Sequence, residues 1–226
     1  MRRCRVEPRQ FANRTEAGLK LAEELRYYRG RNDTIVIGLP RGGVVTAAAI
    51  AETLDLPLDV LVVRKLGTPG QEELAMGAIG PGGVRVLNED VIRFCGIQQR
   101  DIDAVTASER NEVDRRERLF RGGEPPLNVA RMNVIIVDDG LATGSTMTAA
   151  IDVLRKQRPK SIIVAVPVAP PDTAERLRTR VDEFVCLETP ASFEAVGYWY
   201  VDFAQVEDGE VVRVLRNARD RKGVAV

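Results

Sequence analysis

The stretch Val134-Ile-Ile-Val-Asp-Asp-Gly-Leu-Ala-Thr-Gly-Ser-Thr-Met147 decides how this chain is read. Its first four residues are β-branched and apolar without alternation, the pattern of a strand buried on both faces. That strand delivers two acids, Asp138 and Asp139, at its open end. Gly140, Ala142, Thr143, Gly144, Ser145 and Thr146 form the loop that follows, and Thr146 to Lys156 reads as a helix. Loop amides and a helix N-terminus make a natural cradle for phosphate. Thr143, Ser145 and Thr146 add hydroxyl donors, and Gly140 and Gly144 let a ligand approach the backbone closely. Two adjacent carboxylates repel a phosphate, so they need another partner, a sugar diol or a hydrated magnesium ion. The loop therefore offers diol-binding acids beside a phosphate nest. No Lys follows Gly144, so this is not a Walker A loop, and the chain has no GxGxxG fingerprint.

Outward from this segment, short apolar runs alternate with helical patterns. Strands are expected at 33–38, 58–63, 134–137, 161–166 and 183–187. Helices are expected at 44–54, 146–156, 171–180 and 208–216. A first helix starts near Asn13, which has capping-box spacing to Glu16 and an apolar stripe of Ala17, Leu21, Leu25 and Tyr28. This order predicts an α/β fold: an open, mostly parallel twisted sheet with helices on both faces. Such sheets bind ligands beyond the carboxyl ends of their strands, where the glycine-rich turns fall. Residues 67–83 carry six glycines and two prolines and read as a mobile loop followed by a tight turn at Pro81-Gly82-Gly83. Residues 100–121 hold six Arg against six acids, the balance of a solvated helix face with local ion pairs.

Composition bounds the chemistry. The 226 residues suit one domain with its own core, and charges sum to zero, so no basic field draws the chain to nucleic acid or membrane. There is no histidine, which rules out imidazole acid–base catalysis, Ser-His-Asp triads and His-ligated zinc. Cys4, Cys95 and Cys186 are too dispersed for a disulfide framework or a CxxC metal site. The basic start, Met1-Arg-Arg-Cys-Arg, has no apolar run behind it, and no run approaches the roughly 18 apolar residues of a membrane span. A cytoplasmic protein is expected.

The 134–147 segment resembles the signature of the type I phosphoribosyltransferases, which bind phosphoribosyl pyrophosphate (PRPP): apolar strand, two acids, three variable positions, then Thr-Gly-x-Thr. The resemblance covers roughly residues 12–217, with a core over 12–187 and a small hood with a C-terminal helix over 188–217. It is nearest to bacterial phosphoribosyltransferase-like proteins that share an Asp-Asp-Gly-Leu-Ala-Thr-Gly loop and a Leu-Pro-Arg-Gly-Gly turn. The resemblance implies that Asp138 and Asp139 hold the ribose hydroxyls and help position Mg2+, while the loop holds the 5-phosphate. It implies that Arg41, with the Gly42 and Gly43 amides of Gly38-Leu-Pro-Arg-Gly-Gly-Val44, binds the leaving pyrophosphate, together with Arg64 and Lys65. The Gly67–Glu73 stretch resembles a flexible loop that closes over the site, without the second lysine some members carry. Residues 192–203 hold five aromatics and resemble the hood of hypoxanthine-type enzymes. Phe193 or Trp199 would stack on a base there, and Asp202 would help at the base or metal.

For each of these supporting segments a plain structural role is the alternative: a β–α turn at 38–44, an exposed charged strand end at 64–65, apolar packing in the hood. Hypoxanthine-type enzymes place an acid where this chain has Ala142, and the Leu-Ala-Thr-Gly form resembles adenine and uracil enzymes instead. Loop and hood thus point to different acceptors. The expected activity is Mg-dependent transfer of ribose 5-phosphate from PRPP to a nitrogenous acceptor, with pyrophosphate released. The alternatives are a PRPP-binding regulator, or a hydrolase or phosphorylase on the same site. Relatives pair, so a homodimer is the expected assembly.

Overall fold

The computed structural model describes residues 10–124 and 128–222. Cys4 and the basic start lie outside the described residues. In chain order, α1 (Arg14–Glu24) leads into β1 (Thr34–Gly38), α2 (Gly42–Leu54) and β2 (Leu58–Val60). Three strands follow, β3 (Arg64–Thr68), β4 (Gln71–Ile79) and β5 (Arg85–Leu87), then α3 (Glu89–Cys95) and α4 (Gln99–Arg121). The remainder alternates through β6 (Asn133–Val137), α5 (Ser145–Lys156), β7 (Ser161–Val168), α6 (Pro171–Arg178), β8 (Glu183–Glu188) and α7 (Asp208–Lys222).

Five strands form a parallel sheet in the order β2-β1-β6-β7-β8, so the fold is α/β as expected. Alternate residues of these apolar strands serve two cores. Val36, Ile135, Val137 and Ile163 pack against α1, α2, α4 and α7 through Leu21, Ile50, Phe120 and Leu215. Ile35, Ile37, Val134, Ile136 and Val164 pack against α5 and α6 through Met147, Ile151 and Leu177. Each such side chain, fully buried, contributes about 1.5–3 kcal/mol. Parallel pairing needs helical crossovers, and these cover both faces. At α1, the Asn13 side chain accepts from the Glu16 amide at 3.0 Å and Glu16 reaches back to the Ala12 amide, a capping-box arrangement.

Two expectations are corrected. The 58–63 strand leaves the parallel sheet after Val60. The 67–83 segment is not a mobile loop: β3, β4 and β5 form a separate antiparallel sheet, with a turn at Pro69-Gly70. Its glycines mark close approach more than freedom. A Cβ on Gly77 would lie 2.3 Å from the Val86 carbonyl oxygen, and one on Gly67 would lie 2.9 Å from that of Glu72. Leu66, Met76 and Ile79 supply the apolar face that closes onto the core. The turn at 81–83 is where it was expected, a short 3-10 turn between β4 and β5.

The charged α4 is also only partly a solvated face. Glu112 pairs outward with Arg115 and Arg116, but Arg121 and Glu117 are buried. Arg121 bonds Asp59 at 3.0 Å, Glu117 at 2.6 Å and the Val60 carbonyl at 2.9 Å. This network ties α4 to the edge strand β2. Burial pushes the carboxyls of Asp59 and Glu117 above their usual range against the pull of Arg121. No helix among the described residues is long and apolar enough to cross a membrane.

Candidate functional site

β6 ends at Val137 and presents Asp138 and Asp139 at the carboxyl edge of the parallel sheet, between β1 and β7. The Asp138 side chain folds back so that its Oδ1 accepts the Asp139 amide at 2.9 Å. Burial, and then the neighbouring Asp139 charge, push the Asp138 carboxyl well above its usual range. Gly140 takes φ 152, and a Cβ there would collide with Val196 and Val168. Gly144 sits at φ 70 as the N-cap of α5, with no room for a Cβ against Thr173. Both glycines are thus demanded by conformation and crowding together.

The loop between them is held from α6. Thr173 donates to the Ala142 carbonyl at 2.9 Å, and Arg176 to the Thr143 carbonyl at 2.7 Å. With its carbonyls taken, the loop keeps its exposed residues Ala142, Thr143 and Thr146 on the outside. The Thr143 and Ser145 hydroxyls lie 2.9 Å apart at the start of α5, where the Ser145 amide donates to Thr143 Oγ1 at 3.4 Å. Hydroxyls and amides at a helix N-terminus suit an anion.

The Pro40-Arg41-Gly42-Gly43 turn presses on the acid pair. A Cβ on Gly42 would lie 1.9 Å from Asp139 Oδ2, and one on Gly43 would lie 2.8 Å from the Asp138 Cα. The Pro40–Arg41 peptide is cis, and Arg41 is the N-cap residue of α2. Its guanidinium lies 3.8 Å from Asp208 at the start of α7. Arg64 opens β3 and pairs with Glu109 of α4 at 2.7 Å. Arg64, Lys65 and Thr146 line one cleft of about 440 Å3 beneath the β3–β4 turn. Lys65 and Ser145 line a second of about 430 Å3 between the small sheet and α5. Arg64 and Lys65 are therefore brought together with the loop hydroxyls near the N-terminus of α5, while Arg41 lines neither cleft and faces Asp208 of α7.

The hood divides differently from its expectation. Trp199 is 7% exposed and packs with Phe11, Ala17, Val168 and Tyr200, so its ring is core and offers no face to a base. The reason is pairing: Phe11 donates to the Trp199 carbonyl at 2.8 Å and bridges to Tyr200, pulling this segment onto α1. Phe193 is half-buried at the margin of the same cluster and keeps part of its ring outward. Asp202 closes a local turn, accepting the Ala204 amide at 3.0 Å. The hood also grips the acids, because Tyr200 donates its hydroxyl to the Asp139 carbonyl at 2.6 Å. Burial, and then the Asp139 charge, push that phenol up.

Two contacts at the candidate site had no local signal. Arg14 binds Asp139 across 125 positions of sequence, and Glu109 holds Arg64 across 45. Both come from helices whose own patterns read as ordinary surface.

For a divalent ion, two carboxylates are too few for a closed protein cage, and no group of three or more acidic, Cys or His side chains gathers among the described residues. They do suit a hard ion that takes its remaining ligands from water and a bound phosphate. The unfavourable burial of the Asp138 charge is the observation that fits, since an adjacent cation relieves it.

Comparison with known proteins agrees with this architecture. A candidate phosphoribosyl transferase of Mycobacterium tuberculosis, Rv0571c, is 47% identical over 208 residues, 92% of this chain. This chain spans only 47% of that relative's length. The bifunctional protein PyrR of Bacillus velezensis is 26% identical over 147 residues, 65% of this chain and 63% of PyrR. The crystal structure of TT1426 from Thermus thermophilus superposes with a TM-score of 0.85 at 41% identity, covering 92% of this chain and 98% of that one. The model of the phosphoribosyl transferase domain matches residues 12–202, and the chain belongs to the type I phosphoribosyltransferase family.

Proposed function

We propose that this chain transfers ribose 5-phosphate from Mg-PRPP to a ring nitrogen of a nucleobase and releases pyrophosphate. The observation that carries the reading is the convergence of three elements on one sheet edge. These are the Asp138–Asp139 pair, the hydroxyl-bearing loop at the start of α5, and the Arg41-Gly42-Gly43 turn packed against the acids. Acids bind the diol, loop and helix N-terminus bind the 5-phosphate, and Arg41, Arg64 and Lys65 face the pyrophosphate.

The bond from ribose C1 to the pyrophosphate oxygen breaks, and a bond from C1 to the acceptor nitrogen forms. The electron pair of the broken bond leaves with pyrophosphate, and the acceptor's proton passes to solvent. Negative charge grows on the departing group, and preorganised cations are the efficient way to stabilise it. Asp138 and Asp139, with the substrate's own oxygens, would hold a magnesium ion, which would supply further neutralisation of that charge. Arg64 donates to Glu109 through Nε, and its other guanidinium donors can serve a pyrophosphate. Phe193 is the remaining hood ring for stacking on a base. The same reading places the chain in cytoplasmic nucleotide salvage.

The test is pyrophosphate release from Mg-PRPP across a panel of purine and pyrimidine bases. Release that depends on one base, and disappears in the Asp138→Asn, Asp139→Asn double variant, is expected. Tight PRPP binding without release on any base would instead make the chain a PRPP-responsive regulator.

A further inference from the structure

Arg14 is the first residue of α1, where aligned peptide dipoles make a cation unwelcome. The helix needs nothing from it there, since Asn13 and Glu16 satisfy the first amides. Yet its guanidinium is held from three sides. Nε donates to Asp139 Oδ2 at 2.7 Å, Nη1 donates to the Ala204 carbonyl at 2.8 Å, and its central carbon lies 3.9 Å above the Phe203 ring. Phe203 in turn stacks on Tyr200, whose hydroxyl holds the Asp139 carbonyl. The ion pair is largely buried, with the two side chains 11% and 16% exposed. Gly42 is crowded by both partners: its missing Cβ would lie 1.9 Å from Asp139 Oδ2 and 2.8 Å from Arg14 Nε.

Resting on the phosphoribosyl reading, we infer that Arg14 is a positioning residue that fixes Asp139 for the ribose diol and splits the work of the two acids. Each carboxylate has one oxygen committed within the protein, Asp138 Oδ1 to the Asp139 amide and Asp139 Oδ2 to Arg14. The opposite oxygen of each is the ligand-side acceptor, two acceptors for two vicinal hydroxyls. Arg14 also offsets one of two adjacent negative charges, which eases the approach of a phosphorylated sugar. A charge-assisted bond in a partly buried setting holds a carboxylate rotamer that a lone Asp at a strand end would not keep.

The experiment measures binding of two probes, ribose 5-phosphate and inorganic pyrophosphate, each with Mg2+, by calorimetry. Proteins compared are wild type, Arg14→Gln, Arg14→Lys, Asp139→Asn and Arg14→Gln with Asp139→Asn. Arg14→Gln is expected to weaken ribose 5-phosphate about tenfold or more, with Arg14→Lys in between because it keeps charge but loses the fork. Pyrophosphate is also measured without Mg2+, where only Arg41, Arg64 and Lys65 are read as facing it, and that affinity should stay within about twofold. Adding Arg14→Gln to Asp139→Asn should cost nothing further. A merely structural Arg14 would instead lower both affinities together. That result, unchanged ribose 5-phosphate binding in Arg14→Gln, or a full additional loss in the double variant, overturns the inference. Arg14→Lys decides the case if Arg14→Gln does not fold. Wild-type protein that binds neither probe overturns the phosphoribosyl reading itself, and the role of Arg14 with it.

Discussion

The two sheets differ in how they hold the groups they bring to the site. The parallel sheet ends in Asp138 and Asp139, and its strand β6 is buried along its whole length. Asp139 is gripped by Arg14 through its side chain and by Tyr200 through its backbone, and it packs so close to Gly42 that a Cβ there would clash with Oδ2. The antiparallel sheet carries Arg64 and Lys65 on a strand of mixed burial. Arg64 is held by one acid on α4, and its side chain is 42% exposed. On the proposed reading, the rigid layer sets the geometry for sugar and phosphate, while the smaller layer carries a more exposed cation.

The sharpest way to break this contrast is at Gly42. Gly42→Ala forces Asp139 or Arg14 to shift, and misplacing a binding group by about 1 Å costs on the order of a hundredfold. A loss of about that size in PRPP affinity, by calorimetry, is expected; normal affinity would show that the acids are not rigidly held. The next effect lies in the cores. Ile136→Ala, in β6, should cost about 2–5 kcal/mol of unfolding free energy, because the packed layers cannot collapse onto the cavity. Leu74→Ala, 37% exposed in β4, should cost under about 1 kcal/mol in the same denaturant titration. Equal losses would mean that the small sheet is as firmly built as the large one.

Arg64→Gln sharpens the functional half of the comparison. It should weaken pyrophosphate about tenfold and leave ribose 5-phosphate nearly unchanged, because one charge-assisted contact is lost from one end of the donor. The smallest expected effect is at Glu112, on the outer face of α4. Bonds from Arg115 and Arg116 hold its carboxyl down at about 2, against an ordinary 4.5. A depressed folded value contributes stability above the unfolded value, and that contribution fades as pH falls through about 2. The group is solvated and screened, so Glu112→Gln should cost less than about 1 kcal/mol at neutral pH, with the difference from wild type shrinking below about pH 4 and gone once pH is well below the folded value. Thermal unfolding across pH reads this directly.

Much of this molecule was legible one residue at a time. The central parallel strands β1, β6 and β7 announce themselves as apolar, largely β-branched runs, because burial on both faces removes polar alternation. The acid pair and its glycine-rich loop were visible because a strand, a turn and a helix start follow one another without interruption. The small sheet was hidden, since glycines placed for close strand contact look the same as glycines placed for freedom. Trp199 was misread for a related reason: an aromatic cluster says that rings gather, but not which ring faces inward.

By itself the sequence determined the fold class, the family, the absence of imidazole chemistry and the acid pair with its glycine-rich loop at a strand end. Only the tertiary structure decided that Arg14 holds Asp139, that Glu109 holds Arg64, that Trp199 is core and that Gly42 is spacing rather than slack. Local patterns reflect burial and backbone conformation over a few residues, so they specify elements. Partners 45 or 125 positions apart are chosen by how those elements pack, and no local period records that choice.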